Sequence, residues 1–176
     1  MAFITFQGHP VQTRGELPAV GTKAPDFKLV GSKLTDISLA DYAGKKKLLS
    51  IVTSLDSPTC AASALRFNEK AAQLPNTVVL VISADLPFAQ CRFCSHEGIQ
   101  HIITLSSFRS RFAEDYGVGL QNGILAGLTA RAIVILDEND HVLYTELVGE
   151  LADEPDYESA LAVCRETSNN GSLINP

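Results

Sequence analysis

The segment of this chain best suited to chemistry surrounds the cysteine at position 60. An apolar run from Leu48 to Thr53 predicts a buried strand, and the polar residues after it predict a turn. Ser57 followed by Pro58 is typical of a helix start, because a serine hydroxyl caps free N–H groups and proline suits the first helical position. Cys60 then falls in the first helical turn, where the helix dipole favours an anion such as a thiolate.

A thiolate in that position is a nucleophile. A free cysteine has a pKa of about 8.5, and helix N-termini or nearby cations lower such values. The alternative is a small buried apolar residue, since free cysteines are among the most buried residue types. The order of strand, Ser-Pro and helix favours the reactive interpretation of Cys60.

Two further cysteines lie on a short helix predicted from Phe88 to His96. Cys91 and Cys94 form a C-x-x-C pair, which occurs in zinc half-sites and in thioredoxin-type redox pairs. Zinc needs about two more ligands, and the sequence has no second C-x-x-C or paired histidine motif. A redox pair is expected directly after a strand, whereas residues 85–90 intervene here. Cys91 is therefore interpreted as a packing residue, and Cys94 as either redox-active or part of the core.

Arg131 interrupts an apolar strand predicted over residues 129–136. Because arginine is rarely buried without a partner, it either faces solvent or provides a cation beside a thiolate. Ser57 is either a helix cap alone or a cap that also hydrogen-bonds a bound substrate, since one hydroxyl can donate and accept. Cys164, on the inner face of the last predicted helix, is interpreted as a core residue. The four histidines are interpreted as surface or structural residues.

Composition narrows the possible functions. The 176 residues (18.9 kDa) predict one domain over 1–176, with a polar flexible tail at 168–176. The net charge of −6 argues against nucleic-acid binding, and the lysines at 45–47 are interpreted as a solvated turn. No apolar run has the length of a membrane helix, and the N-terminus does not resemble a signal peptide. We therefore expect a cytoplasmic protein, in which four cysteines do not form a disulfide scaffold.

The predicted elements form an α/β protein. Residues 4–13 predict an N-terminal β-hairpin around a Gly-His-Pro turn, and residues 77–83 predict the clearest buried strand. Helices are expected over 108–116 and 157–165, and an exposed glycine-rich loop over 119–127. Strands alternate with helices before a closing hairpin and helix, which predicts a mixed central sheet flanked by helices on both faces.

The segment SLDSPTCAAS around Cys60 resembles the peroxidatic-cysteine segment of the thiol peroxidases, the bacterial atypical two-cysteine branch of the peroxiredoxins. The resemblance covers most of the chain and includes NTVVLVISADLPFAQCRFC, ITLSSFR and GLTARAIVILDEND. It implies a thioredoxin-like fold, a bacterial cytoplasmic enzyme and a homodimer. It also implies a peroxidase that needs no metal, flavin or haem, and no motif for such a cofactor is present in the sequence.

The resemblance assigns roles to individual residues. Cys60 would attack the peroxide and become a sulfenic acid, and Cys94 would resolve it as an intrachain disulfide that thioredoxin reduces. Ser57 and Arg131 would orient the peroxide, and alkyl hydroperoxides would be preferred over hydrogen peroxide. Bridging requires Cα atoms within about 7 Å, so we expect the first turn at Cys60 and the helix over 88–96 to loosen during turnover.

One residue departs from the family pattern. Peroxiredoxins usually carry a proline seven residues before the reactive cysteine, where it shields the thiol and shapes the pocket. Thr53 stands at that position here. The competing hypothesis, which this departure supports, is a redox sensor on the same fold that is oxidised once and does not turn over.

Overall fold

The computed structural model describes residues 1–166, so the tail predicted over 168–176 lies outside the described residues. The strands are β1 (Phe3–Phe6), β2 (His9–Gln12), β3 (Leu29–Val30), β4 (Asp36–Ile37), β5 (Lys46–Ile51), β6 (Thr77–Ser83), β7 (Ile103–Ser106), β8 (Ala132–Leu136) and β9 (Val142–Leu147). The α-helices are α1 (Pro58–Ala71), α2 (Pro87–Glu97), α3 (Phe112–Asp115) and α4 (Tyr157–Glu166), and a 3-10 turn covers Leu39–Tyr42. No helix in this part of the chain is long and apolar enough to cross a membrane.

The predicted mixed sheet and N-terminal hairpin are both confirmed. The sheet has the strand order β4-β3-β7-β6-β5-β8-β9, in which β5, β6 and β7 are parallel and the flanking pairs are antiparallel. Strands β1 and β2 form a separate antiparallel pair. Their turn has positive φ at Gln7 (51°) and Gly8 (78°), the conformation that matches the twist of a two-residue hairpin.

The core lies on both faces of the sheet because successive strand residues point to opposite sides. Leu48 packs with α1, α2 and α4 on one face, whereas the next residue, Leu49, packs with α3 and the N-terminal segments on the other. Helix α1 contacts the sheet through small and aromatic residues at helical spacing, among them Ala64 and Phe67. The face with α1 and α2 is therefore the one that holds Cys60 and carries Cys94 at its margin.

Two predicted boundaries were wrong. The helix expected over 108–116 covers only Phe112–Asp115. The residues before it form turns, in which the N–H of Ser110 donates to the carbonyl of Ser107 at 3.0 Å and the Ser110 hydroxyl accepts the N–H of Phe112 at 3.1 Å. The strand expected over 129–136 begins at Ala132. The preceding residues pair elsewhere, since the N–H of Ala130 donates to the carbonyl of Val118 at 2.8 Å. Arg131 therefore lies immediately before β8.

The solvated turn expected over the lysines at 45–47 holds for the exposed Lys45 but is wrong for Lys46 and Lys47. Lys46 and Lys47 are 1% and 0% exposed, because β5 begins at Lys46 and alternation sends the two side chains to opposite faces. Lys46 Nζ donates to the carbonyl of Cys164 at 3.1 Å, and Lys47 Nζ lies 2.5 Å from Oδ1 of Asp140. Each buried ammonium is thus paired with an acceptor from a distant part of the chain.

Candidate active site

Cys60 occupies the first turn of α1, as the sequence predicts. The Ser57 hydroxyl accepts the N–H of Cys60 at 3.3 Å, and the carbonyl of Ser57 accepts the N–H of Ala61 at 2.9 Å. Pro58 occupies the first helical position, where its missing N–H leaves no donor unsatisfied. The Cys60 side chain is fully buried, so its sulfur reacts only with a molecule that enters this site.

Arg131 supplies a cation at the sulfur. Its Nη1 donates to Sγ of Cys60 at 3.3 Å, and its Nη2 donates to the carbonyl of Leu151 at 2.9 Å. The arginine is 2% exposed, and its Nε has no hydrogen-bond partner among the described residues. No carboxylate in residues 1–166 forms an ion pair with it, so its charge acts mainly on the sulfur and on whatever binds beside it.

Thr53 lies in the wall of this site and is tied to the segment that carries Arg131. Its hydroxyl donates to the carbonyl of Thr129 at 2.9 Å, and the Thr129 hydroxyl donates to the carbonyl of Val52 at 2.9 Å. Both threonines are buried. The two reciprocal hydrogen bonds join the end of β5 to the segment that leads into Arg131.

A cavity of about 340 Å³ adjoins Ser57 and Arg131. Most of its wall is apolar, and it is lined by Phe6, Gln7, Thr53, Ser54, Ser57, Pro58, Thr59, Leu125, Leu128, Arg131, Leu151 and Ala152. The glycine-rich loop supplies Leu125 to this wall. The arrangement suits a small molecule with an apolar body and a polar end that reaches the guanidinium.

Glu150 holds the N-terminal hairpin against this cavity. Its carboxylate accepts hydrogen bonds from the Thr5 hydroxyl (2.6 Å) and from the N–H groups of Gln7 (2.9 Å), Gly8 (3.3 Å) and Ala152 (3.2 Å). The hydroxyl of Thr5, followed by these backbone donors, lowers the pKa of the Glu150 carboxyl to about 2. The carboxylate therefore stays charged and keeps the hairpin turn beside Leu151, whose carbonyl accepts from Arg131.

Asp85 joins the loop before α1 to the helix that carries Cys94. Its carboxylate accepts the Ser54 hydroxyl at 2.8 Å, the N–H of Leu55 at 2.8 Å and the Ser83 hydroxyl at 2.7 Å. The side chain of Gln90, on α2, donates to the Ser83 hydroxyl at 3.0 Å. One hydrogen-bond network thus supports the segments that precede both Cys60 and Cys94.

Cys94 is half-buried on α2 and is not disulfide-bonded. Its Sγ lies 3.7 Å from the Thr104 hydroxyl. Burial raises the pKa of the Cys94 thiol, the hydrogen bond with Thr104 opposes that rise, and the neighbouring Cys91 adds to it. Cys94 lines a second cavity, so the reduced structure does not place it in the wall of the cavity beside Arg131.

The remaining candidate ligands are dispersed. Cys164 is fully buried in the core, as predicted, and Cys91 is half-buried on α2. All four histidines are exposed. No group of three or more histidine, cysteine, aspartate or glutamate side chains in residues 1–166 lies close enough to hold a metal ion.

Several contributors to the site carry no sequence motif. Glu150 contacts the hairpin, and Leu151 contacts Arg131, through tertiary contacts alone. No local sequence pattern indicates either residue. Thr129 has a weak signal, because it lies two residues before Arg131 in an extended segment and therefore shares a side with it. The burial of Arg131 was one of two alternatives from the sequence, and the structure selects it.

Comparison with known proteins finds a matching family model, a similar curated protein and similar solved structures. The Redoxin family model matches residues 19–161. A thiol peroxidase of Corynebacterium glutamicum is 50% identical over 162 residues, which are 92% of this chain and 98% of the relative. The crystal structure of a peroxiredoxin-like protein from Aquifex aeolicus has a TM-score of 0.90 at 36% identity, covering 94% of this chain and 97% of the other. A thiol peroxidase structure from Chromobacterium violaceum shares the fold, with a TM-score of 0.88 at 24% identity, covering 96% of this chain and 99% of the other.

Proposed function

This chain belongs to the redoxin family, within the thiol peroxidase group of peroxiredoxins, and on that premise we propose that Cys60 is its peroxide-reducing nucleophile and Cys94 its resolving cysteine. The single observation that carries the proposal is the 3.3 Å contact from Arg131 Nη1 to Cys60 Sγ at the start of α1. A guanidinium and a helix N-terminus both stabilise a thiolate, which is the attacking form of cysteine.

In the first step the Cys60 thiolate attacks the terminal oxygen of a hydroperoxide. An S–O bond forms, the O–O bond breaks, and the electron pair leaves on the second oxygen, which takes a proton and departs as water or an alcohol. Arg131, whose Nη1 is already directed at the sulfur, stabilises the charge that develops on the peroxide oxygens. The Ser57 hydroxyl, which faces the same cavity, orients the bound peroxide.

In the second step the Cys94 thiolate attacks the sulfur of the Cys60 sulfenic acid. An S–S bond forms, and hydroxide leaves and is protonated to water. Because disulfide bonding requires Cα atoms within about 7 Å, we propose that the first turn of α1 and part of α2 unfold before this step. Helix α2 is suited to unfolding, since only Pro87, Gln90 and Phe93 of its eleven residues are buried.

In the third step a dithiol reductase of the thioredoxin class reduces the disulfide by thiol exchange and restores both cysteines. The apolar wall of the cavity, with Phe6, Leu125, Leu128 and Leu151, supports a preference for alkyl hydroperoxides over hydrogen peroxide. An alkyl group placed against that wall is removed from water, whereas hydrogen peroxide gains nothing there.

The test is steady-state consumption of cumene hydroperoxide and of hydrogen peroxide with thioredoxin, thioredoxin reductase and NADPH. We expect sustained turnover, with kcat/KM at least about tenfold higher for the alkyl substrate. Cys60→Ser should abolish turnover, Cys94→Ser should consume about one equivalent of peroxide, and the core control Cys164→Ala should resemble the unsubstituted protein. Stoichiometric oxidation without turnover would instead identify a redox sensor and refute the enzymatic proposal.

The family resemblance also supports a homodimer in the bacterial cytoplasm. Sedimentation equilibrium of the reduced protein is expected to give twice the 18.9 kDa mass of the chain, and a mass equal to that of one chain would refute the dimer. Cell fractionation of the source bacterium tests the compartment, with recovery in the cytoplasmic fraction as the expected result.

A further inference from the structure

Helix α2 carries a pair of thiols, of which the proposed reaction uses only Cys94. Cys91 and Cys94 are three residues apart on this helix, and both line one cavity of about 560 Å³. Helical geometry separates the Cα atoms of such a pair by about 5 Å and places their side chains on one face. That separation lies within the range that disulfide bonds span, about 4.4 to 6.8 Å.

The electrostatics of α2 agree with this proximity. Burial raises the pKa of the Cys94 thiol, and the neighbouring Cys91 thiol raises it further. Cys91 is half-buried, so its thiol is partly accessible to solvent. The Cβ atoms of such a pair lie about 5 to 6 Å apart in a regular helix, and a disulfide needs about 3.5 to 4.5 Å. A Cys91–Cys94 disulfide therefore distorts one turn of α2, which is a smaller change than the unfolding that a bond to Cys60 demands.

A disulfide between Cys60 and Cys94 has the opposite property. Cys60 is fully buried in the first turn of α1, where it contacts Arg131 and its N–H is capped by Ser57. A disulfide to Cys94 breaks the contact with Arg131 and the Ser57 cap. It also disturbs the Gln90 hydrogen bonds that hold α2 against the sheet. When that disulfide breaks, both helices can refold, and the free energy of refolding favours a subsequent exchange.

We propose that Cys91 receives the oxidation from the catalytic pair by thiol–disulfide exchange, an inference that rests on the Cys60–Cys94 disulfide proposed above. The Cys91 thiol loses its proton to solvent, and the resulting thiolate attacks Sγ of Cys94. The Cys91–Cys94 bond forms, the Cys60–Cys94 bond breaks, and the electron pair leaves on Cys60 as a thiolate. The exchange is redox-neutral, so it needs no further oxidant or reductant.

The direction of the exchange follows from the same contacts. A thiolate that its surroundings stabilise is the better leaving group. Cys60 is such a group, because its sulfur returns to a position beside the Arg131 guanidinium. No described residue lines both the cavity at Arg131 and the cavity at Cys91. The relay therefore frees the peroxide site for a new substrate while the reductant acts at a separate cavity.

The test follows disulfide linkage over time in the full-length reduced protein after one equivalent of cumene hydroperoxide. Samples are quenched with acid and N-ethylmaleimide, digested with trypsin, and analysed by mass spectrometry. Arg92 lies between the two thiols of α2, so trypsin places each of the four cysteines on a different peptide and each linkage is distinguishable. Far-UV circular dichroism of matched samples reports the helical content.

We expect Cys60–Cys94 to appear first and Cys91–Cys94 to replace it as the major linkage, with Cys60 again open to alkylation. Helical ellipticity should fall and then recover. Cys91→Ser should stop at Cys60–Cys94 and keep the lower ellipticity, whereas the control Cys164→Ala should behave like the unsubstituted protein.

Three other results contradict the relay. A Cys60–Cys94 linkage that persists with a free Cys91 overturns the relay alone and leaves the proposed function intact. A Cys60 that is never oxidised or linked at any time point, with the peroxide left unconsumed, overturns the proposed function and the relay with it. If peroxide forms the Cys91–Cys94 linkage in the Cys60→Ser variant, the pair is oxidised directly and without Cys60. That result contradicts the relay and shows an independent dithiol on α2.

Discussion

The hydroxyl of Thr53 donates a 2.9 Å hydrogen bond to the carbonyl of Thr129, two residues before Arg131. The Thr129 hydroxyl returns a bond of the same length to Val52, so the pair closes a polar link across the wall of the cavity. Proline, which the family usually carries at position 53, has no side-chain donor for this link. The threonine thus supplies a connection to the arginine segment that a proline cannot make.

Thr53→Val keeps the shape of the side chain and removes this donor. Because the buried carbonyl of Thr129 then lacks that bond, we expect the free energy of unfolding to fall by about 1 to 2 kcal/mol. A less firmly held Arg131 should also lower kcat/KM for cumene hydroperoxide by about threefold to tenfold. Urea denaturation and the coupled assay measure the two effects, and unchanged values in both would show that the link is dispensable.

Arg131→Met tests the cation at the sulfur. Loss of the Nη1 donor should lower kcat/KM for peroxide by about 10²-fold and slow alkylation of Cys60 by iodoacetamide at pH 7, because the sulfur loses its adjacent cation. Arg109→Met removes an exposed guanidinium, which pairs with Asp36, and serves as the matched control. Equal alkylation rates in the two variants would remove Arg131 from the proposed mechanism, provided that circular dichroism shows both to be folded.

The resolving step should become faster as the pH rises. Burial raises the pKa of Cys94, so near neutral pH most of this thiol is protonated, and its attacking form grows about tenfold per pH unit below that pKa. Thr104→Val removes the hydrogen bond that lowers this pKa and should shift the rate profile to higher pH. Rapid quench with N-ethylmaleimide measures disulfide formation, and superimposable profiles for the two proteins would contradict the assignment.

The ion pair between Lys47 and Asp140 should contribute strongly to stability. Asp140→Asn tolerates the positive φ of 67° but leaves a fully buried ammonium without its counter-charge, which we expect to cost about 3 kcal/mol. Lys47→Met in the same background should recover part of that loss. The exposed pair of Asp36 and Arg109 is the control, and Asp36→Asn should change stability by less than about 1 kcal/mol. Equal losses for the two asparagine variants would refute the special role of the buried pair.

The sequence by itself determined the features that depend on near neighbours. The start of α1 follows from Ser57 and Pro58, whose capping and dihedral preferences act within one turn and place Cys60. The end of α2 follows from Gly98, which adopts the left-handed φ of 67° that closes a helix. The β-branched run at β6 marks a central strand for a similarly local reason. The mixed α/β architecture followed from the order of such elements.

Only the tertiary structure decided which distant residues meet at these positions. Arg131 contacts Cys60 across 71 residues, and Thr53 reaches Thr129 across 76. No local pattern encodes such pairs, because the packing of the whole sheet sets their distances. The lysine run illustrates the same limit, because its charge predicts a solvated turn. Burial of Lys47 is made favourable by a partner 93 residues away on the β8–β9 turn, and burial of Lys46 by a partner 118 residues away on α4. A charged side chain is buried when a remote acceptor compensates its desolvation, and only the fold brings that acceptor into place.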